Sequence, residues 1–258
     1  MAAADPAPFT GVAVALVTLF DADGVLDAPA TAGLAAQLVD LGISGVLVAG
    51  STGEAWALTA DERTALIDAV RAALPPEVPV IAGTGAPTAA EAAAFSAAAA
   101  DHGTDALLVL SPPGTDDPRP YYDEVAKAAG GVPVIAYHFP LVSPPGLAVD
   151  VLNDLPAVAC KDSSGDVDRL RRTLATYRGH VYPGSSRLLT LGPQLGVAGA
   201  IDVLANCRPE QVLAAFGGDE AAQEALGPLF DEVLADFPAA IKRMSAERFG
   251  TSTATRPR

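Results

Sequence analysis

The sequence predicts a (β/α)8 (TIM) barrel with a short C-terminal helical extension. Short β-branched apolar runs alternate with longer Ala/Leu-rich segments. Eight such units fit into about 210 residues, the scale of a βα barrel. Most of the runs are apolar without interruption, as parallel strands buried on both faces are. A doubly wound open sheet shares the alternation and is the alternative.

The candidate strands follow in order. They are VAVALVTL (12–19), GVLVAG (45–50), VPVIAG (78–83) and DALLVL (105–110), then VPVIAY (132–137), AVACK (157–161), HVYPG (180–184) and GAID (199–202). Two of the intervening helices open on a capping-box signature, Thr59 with Glu62 and Thr88 with Glu91. Their ends are marked by the Pro75-Pro76 and His102-Gly103 turn signals. The barrel is expected over 1–208. Over 209–258 come two or three further helices, reaching about Phe249, and the tail TSTATRPR, which reads as disordered.

Composition narrows the function. The chain has 258 residues, half of them apolar, and a formal net charge of -15. That charge argues against nucleic acid and anionic membrane surfaces as partners. A small anionic substrate stays open, because a pocket can be locally positive. Cys160 and Cys207 form neither a metal-type spacing nor a disulfide framework. The start, MAAADPAPFTG, lacks a basic region followed by an apolar stretch. No run of about 18 apolar residues suggests a membrane span. Cytoplasmic residence is the expectation.

The chemistry should lie at the C-terminal ends of the strands. Those ends supply Thr18, then GSTGE (50–54), Gly83-Thr84-Gly85, Ser111, Tyr137, Lys161 and Gly184-Ser185. The chain has three lysines. Lys127 and Lys242 sit in helix-like polar surroundings, where solvent exposure would explain them. Lys161 ends an apolar strand and is expected to point into the barrel mouth. Burial there would lower its pKa from about 10.4 and leave a neutral amine able to attack a carbonyl carbon. The bland alternative pairs it with Asp162 or another carboxylate. Tyr137, on the neighbouring strand, could relay protons or simply cap the core. GSTGE offers backbone N–H groups and hydroxyls suited to a carboxylate. Alternation turns Cys160 to the other side of its strand. Asp116 and Asp117 read as a solvated loop tip, and Trp56 as packing.

Five strings in this order resemble the dihydrodipicolinate synthase and N-acetylneuraminate lyase family of class I pyruvate-type aldolases. They are GSTGE (50–54), GTGAPT (83–88), YHFP (137–140), KDSSGD (161–166) and GAIDVLAN (199–206). The resemblance spans about Gly11 to Gly250. It implies Lys161 as the Schiff-base lysine, Tyr137 as the proton shuttle and Ser51 as its relay partner. It also implies a 2-oxo acid carboxylate held by the backbone of Ser51 and Thr52, with the backbone at Ile201 lining the same pocket. A homo-oligomer, dimer or tetramer, is implied. No metal or organic cofactor is, since the imine itself is the electron sink.

The sequence also departs from the synthases. Their tyrosine pair after strand four is replaced by SPPGTDDP (111–118), with Tyr121 and Tyr122 placed later, on the following helix. Their arginine after strand five is missing from LVSPPG (141–146). The expectation is therefore a lyase making or breaking a carbon–carbon bond between pyruvate and an aldehyde, on a 2-oxo-3-deoxy sugar acid type of substrate. The alternatives are a dehydratase or a synthase-like enzyme using the same imine, or a relative that only binds a 2-oxo acid.

Overall fold

The computed structural model describes residues 6–257. The first five residues, part of the start read as lacking a leader pattern, and Arg258 at the tip of the tail lie outside the described residues. Eight strands make one sheet: β1 Gly11–Ala15, β2 Gly45–Val48, β3 Val80–Gly83, β4 Ala106–Leu110, β5 Val134–His138, β6 Ala159–Asp162, β7 His180–Pro183 and β8 Gly199–Asp202. Neighbours in the sheet are neighbours in sequence, and β1 also pairs with β8. All registered pairs are parallel. At the β7–β8 seam the Ala198 N–H donates to Val181 O at 3.2 Å. The alternation is thus a barrel rather than an open sheet.

The period-two pleat divides the apolar residues into two layers. Ala13, Leu47, Ile81, Leu108, Ile135, Ala159 and Ile201 fill the interior. Val12, Val46, Val80, Leu107, Val134, Cys160 and Ala200 face the helices. β1 stops at Ala15, before the apolar run does. Beyond it, side chains replace the ladder: Asn206 Oδ1 accepts from Val17 N–H at 3.0 Å, and Thr31 Oγ1 accepts from Leu19 N–H at 2.9 Å.

The outer ring comprises α1 Ala28–Asp40, α2 Ala60–Ala73, α3 Ala89–Asp101, α4 Arg119–Ala128, α5 Val167–Thr176, α6 Leu191–Leu195 and α7 Pro209–Phe216. α7 packs against β1. The Thr59–Glu62 capping box forms in full. At Thr88 the hydroxyl accepts from Glu91 N–H but donates to the Glu91 carboxylate, so only half the reciprocal pattern forms. Between β5 and β6 the expected α-helix is replaced by one short 3-10 segment, Val149–Asp154. The preceding Ser143-Pro144-Pro145-Gly146 removes two N–H donors just where a helix would have to begin.

α8 Glu220–Ala235 and α9 Ala239–Phe249 complete the chain and correct two expectations. Lys242 is fully buried on α9 rather than exposed. Its ammonium pairs with Glu54 and donates to Ala254 O at 2.5 Å. The tail is ordered through Arg256. Its N–H donates to Glu54 Oε2 at 2.8 Å, and its guanidinium grips both oxygens of Glu62 at 2.6 and 2.8 Å. The same guanidinium lies 4.3 Å from the centroid of Phe20. Lys127 is exposed, as expected. Among the described residues, no helix is long and apolar enough to cross a membrane.

Candidate active site

β6 carries Lys161 two residues beyond Ala159, so the pleat that turns Ala159 into the barrel turns Lys161 inward too. Its register partners are Tyr137 on β5 and Tyr182 on β7. Only 4% of Lys161 is exposed. Burial pulls its ammonium down to about 7, with the charge of Asp202 acting the other way. Among the described residues Lys161 makes no ion pair. Asp162 points outward instead, accepting from Arg169 Nε at 2.7 Å and from Ser164 Oγ at 2.6 Å. Gly184 makes room for the lysine. A Cβ there would stand 2.7 Å from Lys161 Cε and 2.1 Å from Ser163 Oγ.

Tyr137 places its ring centroid 4.5 Å from Lys161 Nζ. Ser163 Oγ donates to its phenol oxygen at 3.3 Å, and the nearby Ser51 hydroxyl also favours the phenolate. Burial pushes the phenol up to about 12 against those two hydroxyls. Phe139 stacks on the same ring at 5.7 Å.

The turn 50–54 is held in an uncommon shape. Ala49 and Glu54 flank it with φ of 51° and 53°, a region costly for residues other than glycine. Thr18 Oγ1 donates to Gly53 O at 2.7 Å. Gly83 is required by close approach, since a Cβ there would meet Ala49 O at 2.1 Å. Among the described residues no protein acceptor takes the N–H of Ser51 or Thr52. Both residues line a cleft of about 590 Å³, open mouth included, together with Lys161, Tyr137, Ser163 and Ile201.

The structure therefore gathers Lys161, Tyr137, Ser51, Thr52 and Ile201 around one cleft. Thr18 acts as a brace outside that lining. Thr84 accepts from Ser96 Oγ at 2.9 Å, and the Ser111 carbonyl accepts from Ser143 Oγ at 2.6 Å. Neither lines the cleft. Tyr121 and Tyr122 sit buried on α4, their hydroxyls donating to Ala86 O and Val109 O at 2.8 and 2.7 Å. Cys160 faces the helices, buried, its thiol pushed up to about 12 by desolvation. Asp117 is an exposed partner of Arg119, and Trp56 lies outside the cleft lining.

Two groups were missed in the sequence. Ser163 stands two residues after Lys161, the spacing that shares a strand face. Asp202 ends β8, accepts from Ser186 Oγ at 2.7 Å and from Leu204 N–H at 2.8 Å, and is pushed up by burial. A carboxylate at a strand's C-terminal end was the available signal.

Residues 8–247 match the Dihydrodipicolinate synthetase family. The chain belongs to that family. An uncharacterized DapA-like lyase of Halobacterium salinarum is 37% identical over 231 residues, covering 85% of this chain and 75% of the relative. The 4-hydroxy-tetrahydrodipicolinate synthase of Salinibacter ruber is 35% identical over 219 residues, covering 78% of this chain and 70% of the relative. The crystal structure of the chloride-inhibited dihydrodipicolinate synthase from Acinetobacter baumannii, complexed with pyruvate, superposes with a TM-score of 0.89. It is 26% identical and covers 96% of this chain and 91% of that one. The synthase from Aquifex aeolicus gives a TM-score of 0.87 at 29% identity, with the same coverages. As a dihydrodipicolinate synthetase family member, the chain is a carbon–carbon lyase of the class I aldolase kind.

Proposed function

We propose that the chain joins or cleaves pyruvate and an aldehyde through an imine on Lys161. One observation carries the reading: inside a closed barrel, the buried Lys161 amine has no carboxylate partner among the described residues and lies 4.5 Å from the Tyr137 ring centroid. The pyruvate named for the Acinetobacter baumannii structure supports the same substrate here.

The carboxylate of the 2-oxo acid binds the N–H groups of Ser51 and Thr52, with the backbone at Ile201 on the same wall. The neutral amine of Lys161 adds to C2. The carbinolamine loses its hydroxyl as water, and Tyr137 supplies the proton. The resulting phenolate is steadied by the hydroxyls of Ser163 and Ser51 and by the iminium beside it. In cleavage, the C3–C4 electron pair moves to the iminium nitrogen, the phenolate takes the C4 hydroxyl proton, and the aldehyde leaves. The enamine gains a proton at C3. Water then hydrolyses the imine, releasing pyruvate and the free amine.

The synthase reading is less well supported, because 141–146 contains no arginine for a second carboxylate. The two free cysteines and the family support a cytoplasmic homo-oligomer, whose oligomeric state sedimentation velocity tests. The decisive experiment for the chemistry is borohydride reduction in the presence of pyruvate, followed by intact and peptide mass. An adduct on Lys161 is expected; its absence, or its appearance elsewhere, rejects the reading.

A further inference from the structure

The cleft changes character between its floor and its lip. Of the polar residues that line it, the proposed mechanism commits the side chains of Ser51, Tyr137, Lys161 and Ser163 to imine chemistry or proton transfer, and Thr52 gives its backbone N–H to the 2-oxo acid. The outer wall is Leu141 and Val142 from the β5–β6 connection and Phe230, Val233, Leu234 and Phe237 from α8 and the turn after it. None of these offers a side-chain donor or acceptor. Leu141 is 71% exposed and Leu234 38%, and they are two of the four large apolar side chains left in the open among the described residues. Both also line a neighbouring recess. Exposed apolar surface marks ligand grooves and protein interfaces, and this patch borders a reactive amine.

A polyhydroxylated or acidic aldehyde finds no match on this wall. Arg187 is the cation of the adjoining recess; it pairs with Asp231 at the surface and lies over the Phe230 ring, outside the cleft lining. Of the hydroxyls in the same recess, Ser164 donates to Asp162, Ser163 donates to Tyr137, and Ser185 is buried. Hydroxyls beyond C4 would exchange water for leucine, valine and phenylalanine, which leaves them unpaired and costs binding.

We infer that the second substrate is an apolar aldehyde, aliphatic or aromatic, whose side group seats against Phe230, Val233 and Leu234. This replaces the sugar-acid chain that the sequence resemblance suggested, and it rests on the imine mechanism proposed above. In the condensing direction, the enamine of pyruvate on Lys161 attacks the aldehyde carbon. The C3–C4 bond forms, and the aldehyde oxygen takes the Tyr137 proton. Hydrolysis then releases a 4-hydroxy-2-oxo acid bearing the apolar group at C4.

The test condenses pyruvate with benzaldehyde, isobutyraldehyde, glyceraldehyde and succinic semialdehyde, and compares kcat/KM. Burial of an apolar group of this size predicts a preference on the order of 10- to 100-fold for the first two. Leu234→Asp is expected to lower kcat/KM for benzaldehyde by about tenfold or more, while the borohydride-trapped pyruvate adduct still forms. Equal or better use of glyceraldehyde or succinic semialdehyde, with the adduct intact, overturns the apolar pocket and leaves the imine mechanism standing. No adduct with pyruvate rejects the mechanism itself. If Leu234→Asp leaves the aldehyde preference unchanged but breaks up a dimer, the lip is a contact between copies and the inference is wrong.

Discussion

Lys161 and Tyr137 are register partners on adjacent parallel strands, and the amine lies 4.5 Å from the centre of the phenol ring. The same burial acts oppositely on the two groups. It disfavours the charged form of each, so the lysine falls to about 7 and the tyrosine rises to about 12. Near neutrality this leaves an amine free to attack beside a phenol that still holds its proton, the division of labour that imine formation needs.

That split predicts a single acid limb. kcat/KM for pyruvate should rise with pH and level off above about 7, as Lys161 loses its proton. No falling limb from Tyr137 is expected below about 12. A pH profile of kcat/KM checks this, and a limb displaced to the ordinary lysine value of 10.5 would mean the amine is not desolvated in the working enzyme. Lys161→Arg should abolish turnover and trapping together.

The same shift bears on stability. The unfolded chain keeps the lysine proton up to 10.5, the folded chain only up to about 7. Between those values the unfolded state binds more protons, so stability rises with pH across the window. The burden is greatest below about 7 and corresponds to roughly 5 kcal/mol at most. Lys161→Met should therefore be inactive yet more stable than the parent by on the order of 2 kcal/mol under mildly acidic conditions, with the gain fading toward 10.5. Urea unfolding at several pH values measures it.

Gly184 gives a steric prediction. Gly184→Ala would set a methyl 2.1 Å from Ser163 Oγ and 2.7 Å from Lys161 Cε. Both are side-chain atoms able to move, so the fold should survive. The reactive amine should not hold its place, however, and displacements of about 1 Å can cost on the order of 100-fold in rate. The expected result is a loss of kcat near that size, with melting temperature changed little.

What the sequence disclosed was local. The inner layer of the barrel could be read because most of its strands are short uninterrupted apolar runs. Lys161 could be read because it breaks such a run at the end where a barrel does chemistry. Ser163 was hidden by its ordinary polar setting, though its two-residue spacing from Lys161 was visible. The burial of Lys242 was out of reach, because its polar neighbours on α9 look like any solvated helix and its partner Glu54 belongs to the second βα turn. The apolar lip was equally hidden, since Leu234 reads as one residue of an amphipathic helix until α8 is laid beside the cleft.

The Lys242–Glu54 pair is the last point of test. Glu54 closes the turn that presents the N–H groups of Ser51 and Thr52, and it holds a left-handed backbone there. Both partners are wholly buried, and Arg256 N–H adds a second bond to the same carboxylate. Glu54→Gln leaves the Lys242 ammonium buried without its counter-charge, which should destabilise the fold by about 3 kcal/mol. Adding Lys242→Met to that variant removes the orphaned charge and should recover most of the loss, because a buried pair owes little net stability to its charges. If the pair also fixes the turn, the recovered double variant will still bind pyruvate more weakly: its KM should stay raised while its unfolding midpoint returns. Recovery of both together would mean that Glu54 serves the fold alone, and that Thr18 and Gly83 suffice to shape the carboxylate site.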